Sequence, residues 1–346
     1  MSSVLEGSDY RERPVGTGET LLELDELVVE YETAGAPVRA VDHVNLTISA
    51  GETVGLAGES GCGKSTAGNA IMGILRSPAR LAGGRVLFRG EDITGLDTEE
   101  QRRYRWRNVS MVFQSAMNAL NPVMRVGDQF ADMMAAHEQI NKKDAIERAG
   151  DLLEKVGIDR RRVRSYPHQL SGGMRQRTVI AMALALSPEL VIMDEPTTAL
   201  DVVVQREILE EIQELQNELG FAVLFITHDL SLLVEFADRI AIMYAGEIVE
   251  TAPARTLFDS SRHPYTDGLM HSFPPLTGEM TRLIGIPGTP PDLARPPAGC
   301  RFHPRCAFCV PEKTSLYARQ TTERPVLREV GPGHFVACHL VEEGGR

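Results

Sequence analysis

A chain of 346 residues, 42% hydrophobic and 24% charged with 31 Gly and 20 Pro, has the composition of an ordinary globular protein, long enough for one large domain with an appendage or for two modest domains. Its formal charge of −12 argues against a general nucleic-acid binder, because phosphate contact leaves a basic footprint. No apolar run approaches the length of about 18 residues that a spanning helix needs, so the chain is not expected to cross a membrane by itself.

The start, MSSVLEGSDYRERPVGTGET, is polar and lacks the positive head and apolar core of a secretory signal. Residues 1–20 are therefore expected to be a disordered lead-in, and the compartment the reducing cytoplasm. Loose apolar alternation through LLELDELVVEYE (21–32) and VRAVDHVNLTIS (38–49) predicts an antiparallel strand pair. ETVGLAG (52–58) reads as a short buried strand ended by glycines, with a helix beginning near Lys64. The segment from about 115 to 170 is rich in helix formers, KKDAIERAGDLLEKVGI (142–158) among them, and predicts a helical insertion. PELVIMDEP (188–196) and FAVLFITHD (221–229) are apolar runs of strand length, each after a helical stretch, and that alternation predicts a parallel α/β core. After RIAIMYAGEIVETA (239–252) prolines crowd between Pro287 and Pro304 and cysteines follow, which predicts a separate C-terminal module of irregular backbone over 256–346.

GESGCGKST (58–66) fits G-x-x-x-x-G-K-S/T in full, between a predicted strand and a predicted helix, and that context is what a phosphate-binding loop requires. Across Gly58, Ser60, Gly61, Cys62 and Gly63 the backbone N–H groups can converge on phosphate oxygens, and the helix N-terminus adds partial positive charge. Lys64 is expected to reach the β and γ phosphates and Ser65 to ligate Mg2+, with Thr66 completing the nucleotide-binding set. A small residue suffices at Cys62, which has no separate role. In LVIMDEP (190–196) the strand end presents Asp194, placed to hold Mg2+ directly or through water. Glu195, one residue on, is placed to activate the attacking water as general base. Two carboxylates at a strand end can also be merely solvated; the loop beside them favours the chemical reading.

LSGGMRQR (170–177) selects among ATPases. Together with the two elements above it resembles the signature of ABC transporter nucleotide-binding subunits, and the resemblance covers roughly residues 21–255. It implies a P-loop NTPase α/β fold: a parallel sheet core, an antiparallel β subdomain and a helical subdomain at about 115–170. Gln114 in VFQS matches the family's Q-loop, implying a part in catalysis and in Mg2+ binding. TTALD (197–201), ending in Asp201, matches the D-loop, His228 in ITHD the switch histidine, and Tyr31 in VEYE the aromatic that stacks on adenine. Ser171, Gly172 and Gly173 open a helix able to bind an anion, yet the chain's own phosphate loop already cradles a nucleotide, so a second phosphate site implies a second subunit. The resemblance implies two subunits head to tail, each signature closing over the γ phosphate held by the other, with hydrolysis releasing them. A neutral His228 can donate to a γ-phosphate oxygen near Glu195.

Lys64 and Ser171 are 107 residues apart, which leaves no room for the long coiled coil of chromosome-organising relatives. Ribosome-acting and excision-repair relatives carry two cassettes where one is present here. The reading that follows is the energising subunit of a transporter, coupling ATP hydrolysis to solute translocation from the cytoplasmic face of the membrane. The region after Gln114, SAMNALNPVMRVGDQF (115–130), is implied to form the groove for a short permease helix.

HPYTDGLM (263–270), IPGTPPDL (286–293) and GCRFHPRC (299–306) resemble the C-terminal region of the oligopeptide and dipeptide branch of importer ATPases. That resemblance implies pairing with a second, different ATPase subunit, two permeases and an extracytoplasmic solute-binding protein. Peptide is the implied cargo, and nickel or oligosaccharide are alternatives within the branch. Cys300, Cys306, Cys309 and Cys338, spaced C-x5-C-x2-C-x28-C, can ligate zinc or hold a [4Fe–4S] cluster. The resemblance favours the cluster, as a staple for a module poor in apolar residues. Lys313 stands where the family places its third cysteine, so Cys309 has to substitute for it.

Overall fold

A computed structural model describes residues 18–114, 119–197, 201–272, 285–311 and 314–342. Most of the expected lead-in, the first four residues of the expected permease groove and the centre of the expected D-loop lie outside the described residues.

Strands β1 (Thr20–Tyr31) and β2 (Val38–Ser49) pair antiparallel, with Leu24 opposite Leu46 and Tyr31 opposite Val38. Beyond them, β3 (Thr53–Ala57) enters a second sheet, while β4 (Ala79–Phe88) and β5 (Glu91–Asp92) extend the first in the order β2-β1-β4-β5. The second sheet also contains β6 (Val109–Val112), β7 (Leu190–Asp194), β8 (Ala222–Thr227), β9 (Arg239–Tyr244), β10 (Glu247–Pro253), β11 (Arg328–Gly331) and β12 (His334–Val336), in the order β11-β12-β10-β9-β3-β8-β7-β6. From β9 to β6 neighbouring strands are parallel, and from β9 to β11 they are antiparallel.

Every residue of β7 and β8 is buried, and period-two alternation divides their side chains between two layers. Leu190, Ile192, Leu224 and Ile226 face the small sheet, packing with Leu22, Leu46 and Ile48. Val191, Met193, Val223 and Phe225 face the other way, into a core with Phe130, Met134, Ile180 and Ile208. Their near-continuous apolar runs, without the alternation of β2, follow from burial on both faces.

Helix α1 (Lys64–Ile71) follows β3, and α2 (Thr98–Arg107) starts at a capping box formed by Asp97 and Glu100. Residues 115–170, where a helical insertion is expected, contain α3 (Val126–His137) and α4 (Lys142–Lys155), which bury Phe130, Met134, Ala145, Ala149 and Leu153. Two further helices, α5 (Gly172–Ala183) and α6 (Val202–Leu219), flank β7 in sequence.

Backbone pairing continues from the core sheet into the C-terminal stretch that the proline-rich composition predicts as a module of its own. The β11–β12 hairpin adds to the edge of β10, with Glu250 opposite Val336 and Thr251 opposite Phe335. An open edge of this kind presents unpaired N–H and C=O groups, and the hairpin satisfies them. Buried Glu250 secures the junction by accepting from the backbone N–H groups of Arg262 (2.7 Å) and His263 (3.0 Å), and it meets Nε2 of His334 at 2.8 Å. Phe302 packs edge-on against Tyr244, ring centroids 5.3 Å apart, so the aromatic side chains also continue across the boundary.

Candidate functional site

The chain leaves β3 at Ala57 and turns through the glycine-rich loop into α1. Gly58 has φ +152° and Gly63 φ +111°; a Cβ on either would lie 2.1 Å from a backbone oxygen, that of Met243 or Ala40. Only glycine fits both positions. Gly63 is the N-cap of α1 and supplies no side-chain cap, so the first N–H groups of the helix are available to an anion. Buried Lys64 directs Nζ back over the loop, donating to the carbonyls of Gly58 (2.7 Å) and Glu59 (3.1 Å).

Ser65 Oγ donates to Asp194 Oδ1 at 3.0 Å. Burial raises the Asp194 carboxyl above its ordinary value; the Ser65 hydrogen bond opposes this, the Glu195 charge adds to it and Lys64 opposes it. A hydroxyl and a carboxylate are the hard oxygen donors that Mg2+ takes in small number while phosphates and water complete its shell, so these two residues fit that ion. Glu195 stands in the left-handed region at φ +46°, with its N–H donating to the Ile226 carbonyl at 2.9 Å. Its Oε2 accepts from Gln114 Nε2 at 2.8 Å, and its Oε1 lies 3.1 Å from His228 Nδ1. Tyr31, the last residue of β1, places its hydroxyl 3.1 Å from Thr66 Oγ1.

These groups share a cavity of about 740 Å³, lined by Tyr31, Gly58, Ser60, Gly61, Gly63, Lys64, Ser65, Thr66, Gln114, Glu195 and His228. Asp194 reaches it through Ser65. Cys62 is buried in the loop and does not line the cavity; burial raises its thiol, and the Lys64 charge opposes that. Ser171, Gly172, Gly173 and Asp201 do not line it either. Ser171 is exposed and caps α5 by accepting from the Met174 N–H at 3.2 Å, while exposed Asp201 caps α6 by accepting from the Val204 N–H at 3.0 Å.

Five lining residues escaped the sequence reading: Val38, Ala40, Glu59, Leu269 and Leu293. Glu59 occupies a variable position of the loop motif. Val38 is legible only through its register opposite Tyr31. Leu269 and Leu293 lie more than 200 residues from the loop, in HPYTDGLM and IPGTPPDL, whose resemblance concerns the C-terminal region and not nucleotide contact.

Cys300 and Cys338 are buried, and Cys306 and Cys309 half-buried. Burial pushes the Cys300 thiol up to about 12 and the Cys338 thiol up to about 11, with neighbouring thiols adding to both. Cys300 packs in the main core beside Phe302, whereas Cys338 packs in a separate apolar cluster with Leu316, Val336 and Leu340. Among the described residues, no three His, Cys, Asp or Glu side chains form a ligand group for a metal ion. That arrangement gives no support of its own to the expected [4Fe–4S] cluster or zinc.

A family model described as ABC transporter matches residues 41–198, and one described as oligopeptide/dipeptide transporter, C-terminal region, matches residues 249–312. The chain is 46% identical over 326 residues to the oligopeptide transport ATP-binding protein OppD of Bacillus subtilis (strain 168), covering 93% of this chain and 89% of that one. It is 42% identical over 327 residues to the dipeptide transport ATP-binding protein DppD of Lactococcus lactis subsp. cremoris (strain MG1363), covering 94% and 92%. Among solved structures, the ATP-binding cassette MJ0796, a dimer in a post-hydrolysis state bound to ADP and Pi, is similar with a TM-score of 0.61 at 29% identity, covering 68% of this chain and 99% of that one. With relatives so similar over nearly its whole length, this chain belongs to the ABC transporter ATPases that carry the oligopeptide/dipeptide transporter C-terminal region.

Proposed function

We propose that this chain hydrolyses MgATP at a head-to-tail pair of nucleotide-binding domains and thereby energises import of oligopeptides or dipeptides through a membrane transporter. The observation that carries the chemistry is the convergence of Lys64, Ser65, Gln114, Glu195 and His228 on one cavity. Lys64 and the loop N–H groups hold the phosphates, and Ser65, Asp194 and Gln114 would hold Mg2+, which neutralises charge on the β and γ oxygens when bound. Glu195 takes a proton from the attacking water, Gln114 and His228 orient it, and His228 donates to the γ phosphate. Tyr31 offers its ring to adenine.

Support for a second subunit comes from Ser171, exposed at the start of α5 and absent from the wall of its own chain's cavity. Ser171, Gly172 and Gly173 then serve the opposite nucleotide, and Asp201 stands near that seam. A different ATPase subunit is the proposed partner, on two permeases served by an extracytoplasmic solute-binding protein. No helix among the described residues is long and apolar enough to cross a membrane, and attachment to its cytoplasmic face would run through the permeases. Phe113 and Val123 are exposed apolar side chains on either side of residues 115–122, which supports a permease helix docking there. Peptide as cargo is supported by the C-terminal match and by the relatives' names. For an iron–sulfur cluster or zinc at Cys300, Cys306, Cys309 and Cys338, support comes from the spacing and the family resemblance, and the arrangement of the thiols adds none.

Deleting the gene tests the reading. Uptake of a labelled dipeptide or hexapeptide should be lost, and restored by the wild-type chain but not by Glu195→Gln. Loss of nickel or oligosaccharide uptake with peptide uptake intact would replace the cargo.

A further inference from the structure

The C-terminal stretch reaches the phosphate loop at Glu59. Buried Arg305 donates from Nη1 and Nη2 to the two carboxylate oxygens of Glu59 at 2.6 and 3.0 Å. Its Nε donates to the Pro287 carbonyl at 2.8 Å, and its guanidinium lies over the rings of Tyr244 and Phe302, 5.8 and 6.0 Å from their centroids. The Glu59 N–H donates to the Tyr265 hydroxyl at 2.9 Å, and the Glu59 carbonyl accepts from Lys64. Side chain, N–H and carbonyl of one loop residue are therefore all held, and Arg305 and Tyr265 both come from beyond residue 255. The same stretch places Leu269 and Leu293 on the wall of the cavity that Tyr31 lines.

We infer that the C-terminal stretch is a working part of the nucleotide site, with Arg305 as a positioning residue that sets the phosphate loop through Glu59. This rests on the reading of the loop as an ATP site. A bidentate Arg–carboxylate pair is directional as well as strong, and lysine cannot reproduce its fork. Backbone N–H groups bind phosphate tightly only when the loop that carries them is already in the bound conformation, since ordering it on binding lowers affinity. Arg305 supplies that order from outside the loop, and its hold on Pro287 ties the loop to the segment that carries Leu293. A bond that merely stapled the fold would change the melting temperature and leave nucleotide affinity alone.

The test uses the full-length chain with Mg2+, fluorescent ATP, and inorganic tripolyphosphate as a competitor without a base. Arg305→Gln should raise Kd for both ATP and tripolyphosphate by roughly tenfold, the loss of one charge-assisted pair. Arg305→Lys should recover only part of that loss. Glu59→Gln breaks the same pair from the loop side and serves if Arg305→Gln does not fold; the double variant should bind no more weakly than the worse single one. Unchanged affinity for both ligands in the folded single variants, or losses that simply add in the double variant, would overturn the inference. A wild-type chain that bound neither ligand would overturn the ATP-site reading and this inference with it, whereas wild-type binding with indifferent variants overturns this inference alone.

Discussion

Nδ1 of His228 lies 3.1 Å from Oε1 of Glu195, across the carboxyl ends of two adjacent parallel strands. Asp194 pairs with Ile226 in that ladder, which brings the residue after each strand to the same rim of the sheet. Gln114 reaches the other oxygen of Glu195 at 2.8 Å, so the carboxylate is aimed from both sides. Glu195→Gln keeps the shape and removes the base. Steady-state phosphate release by the assembled transporter should fall by about 100-fold or more, while ATP binding is retained and the closed dimer is trapped. Undiminished hydrolysis would remove Glu195 from its proposed role.

Lys64→Ala takes away the ammonium that lies over the loop carbonyls of Gly58 and Glu59. Losing charge-assisted bonds to two phosphates should weaken ATP binding by about 100-fold, measured by fluorescent ATP titration.

Gly63 and Gly61 make a paired test of the loop. Both have positive φ, +111° and +78°, but a Cβ at Gly63 would meet the Ala40 oxygen at 2.1 Å, whereas at Gly61 no described atom lies within 4 Å. Gly61→Ala should cost about 1 kcal/mol, the ordinary penalty for a side chain in this region. Gly63→Ala has to displace backbone and should cost several times that, about 3 kcal/mol or more, with ATP binding lost. Urea unfolding of the two variants compares them directly.

Ser171→Ala separates the chain's own site from a composite one. Turnover in the assembled transporter should fall, with ATP affinity of the isolated chain within about twofold of wild type, because Ser171 does not line that chain's cavity. Equal loss of both would place the signature in the wrong subunit's site.

Asp42 anchors the C-terminal stretch to β2. Burial alone would raise its carboxyl; the charge of Arg301 and hydrogen bonds from Arg324 and His43 outweigh burial and hold it below the ordinary 3.8. The unfolded chain therefore binds the proton more readily, and the stabilisation is complete above pH 3.8 and disappears as pH falls through the lower folded value. Asp42→Asn should lose about 2 kcal/mol at neutral pH, because it removes one of the two carboxylates that pair with buried Arg301 and leaves Glu247 as the other. Denaturation curves at descending pH should show wild type and variant converging below 3.8.

GESGCGKST was legible because strand, turn and helix lie within one short segment, and the backbone demands at Gly58 and Gly63 are met by glycine alone. The doubly buried strands β7 and β8 were legible for a related reason: an apolar run bounded by turn residues records its own burial. The C-terminal hairpin was not, because β11 is mostly exposed and polar and has a reason to be a strand only once β10 offers an open edge. Nor was the cavity wall at Val38, since β1 and β2 carry several register shifts and each shift changes which residue faces Tyr31. The cysteine spacing put three thiols within ten residues and a fourth 29 residues on, but it could not show that Cys300 packs with Phe302 and Cys338 with Leu316. By itself, the sequence determined the phosphate loop, the apolar strands and the family, all of which are written in contiguous residues whose backbone and burial requirements are local. Tertiary structure decided that the β11–β12 hairpin covers the edge of β10 and that Arg305 grips Glu59 from 246 residues away, because long-range meetings of this kind follow from how whole strands and helices pack together.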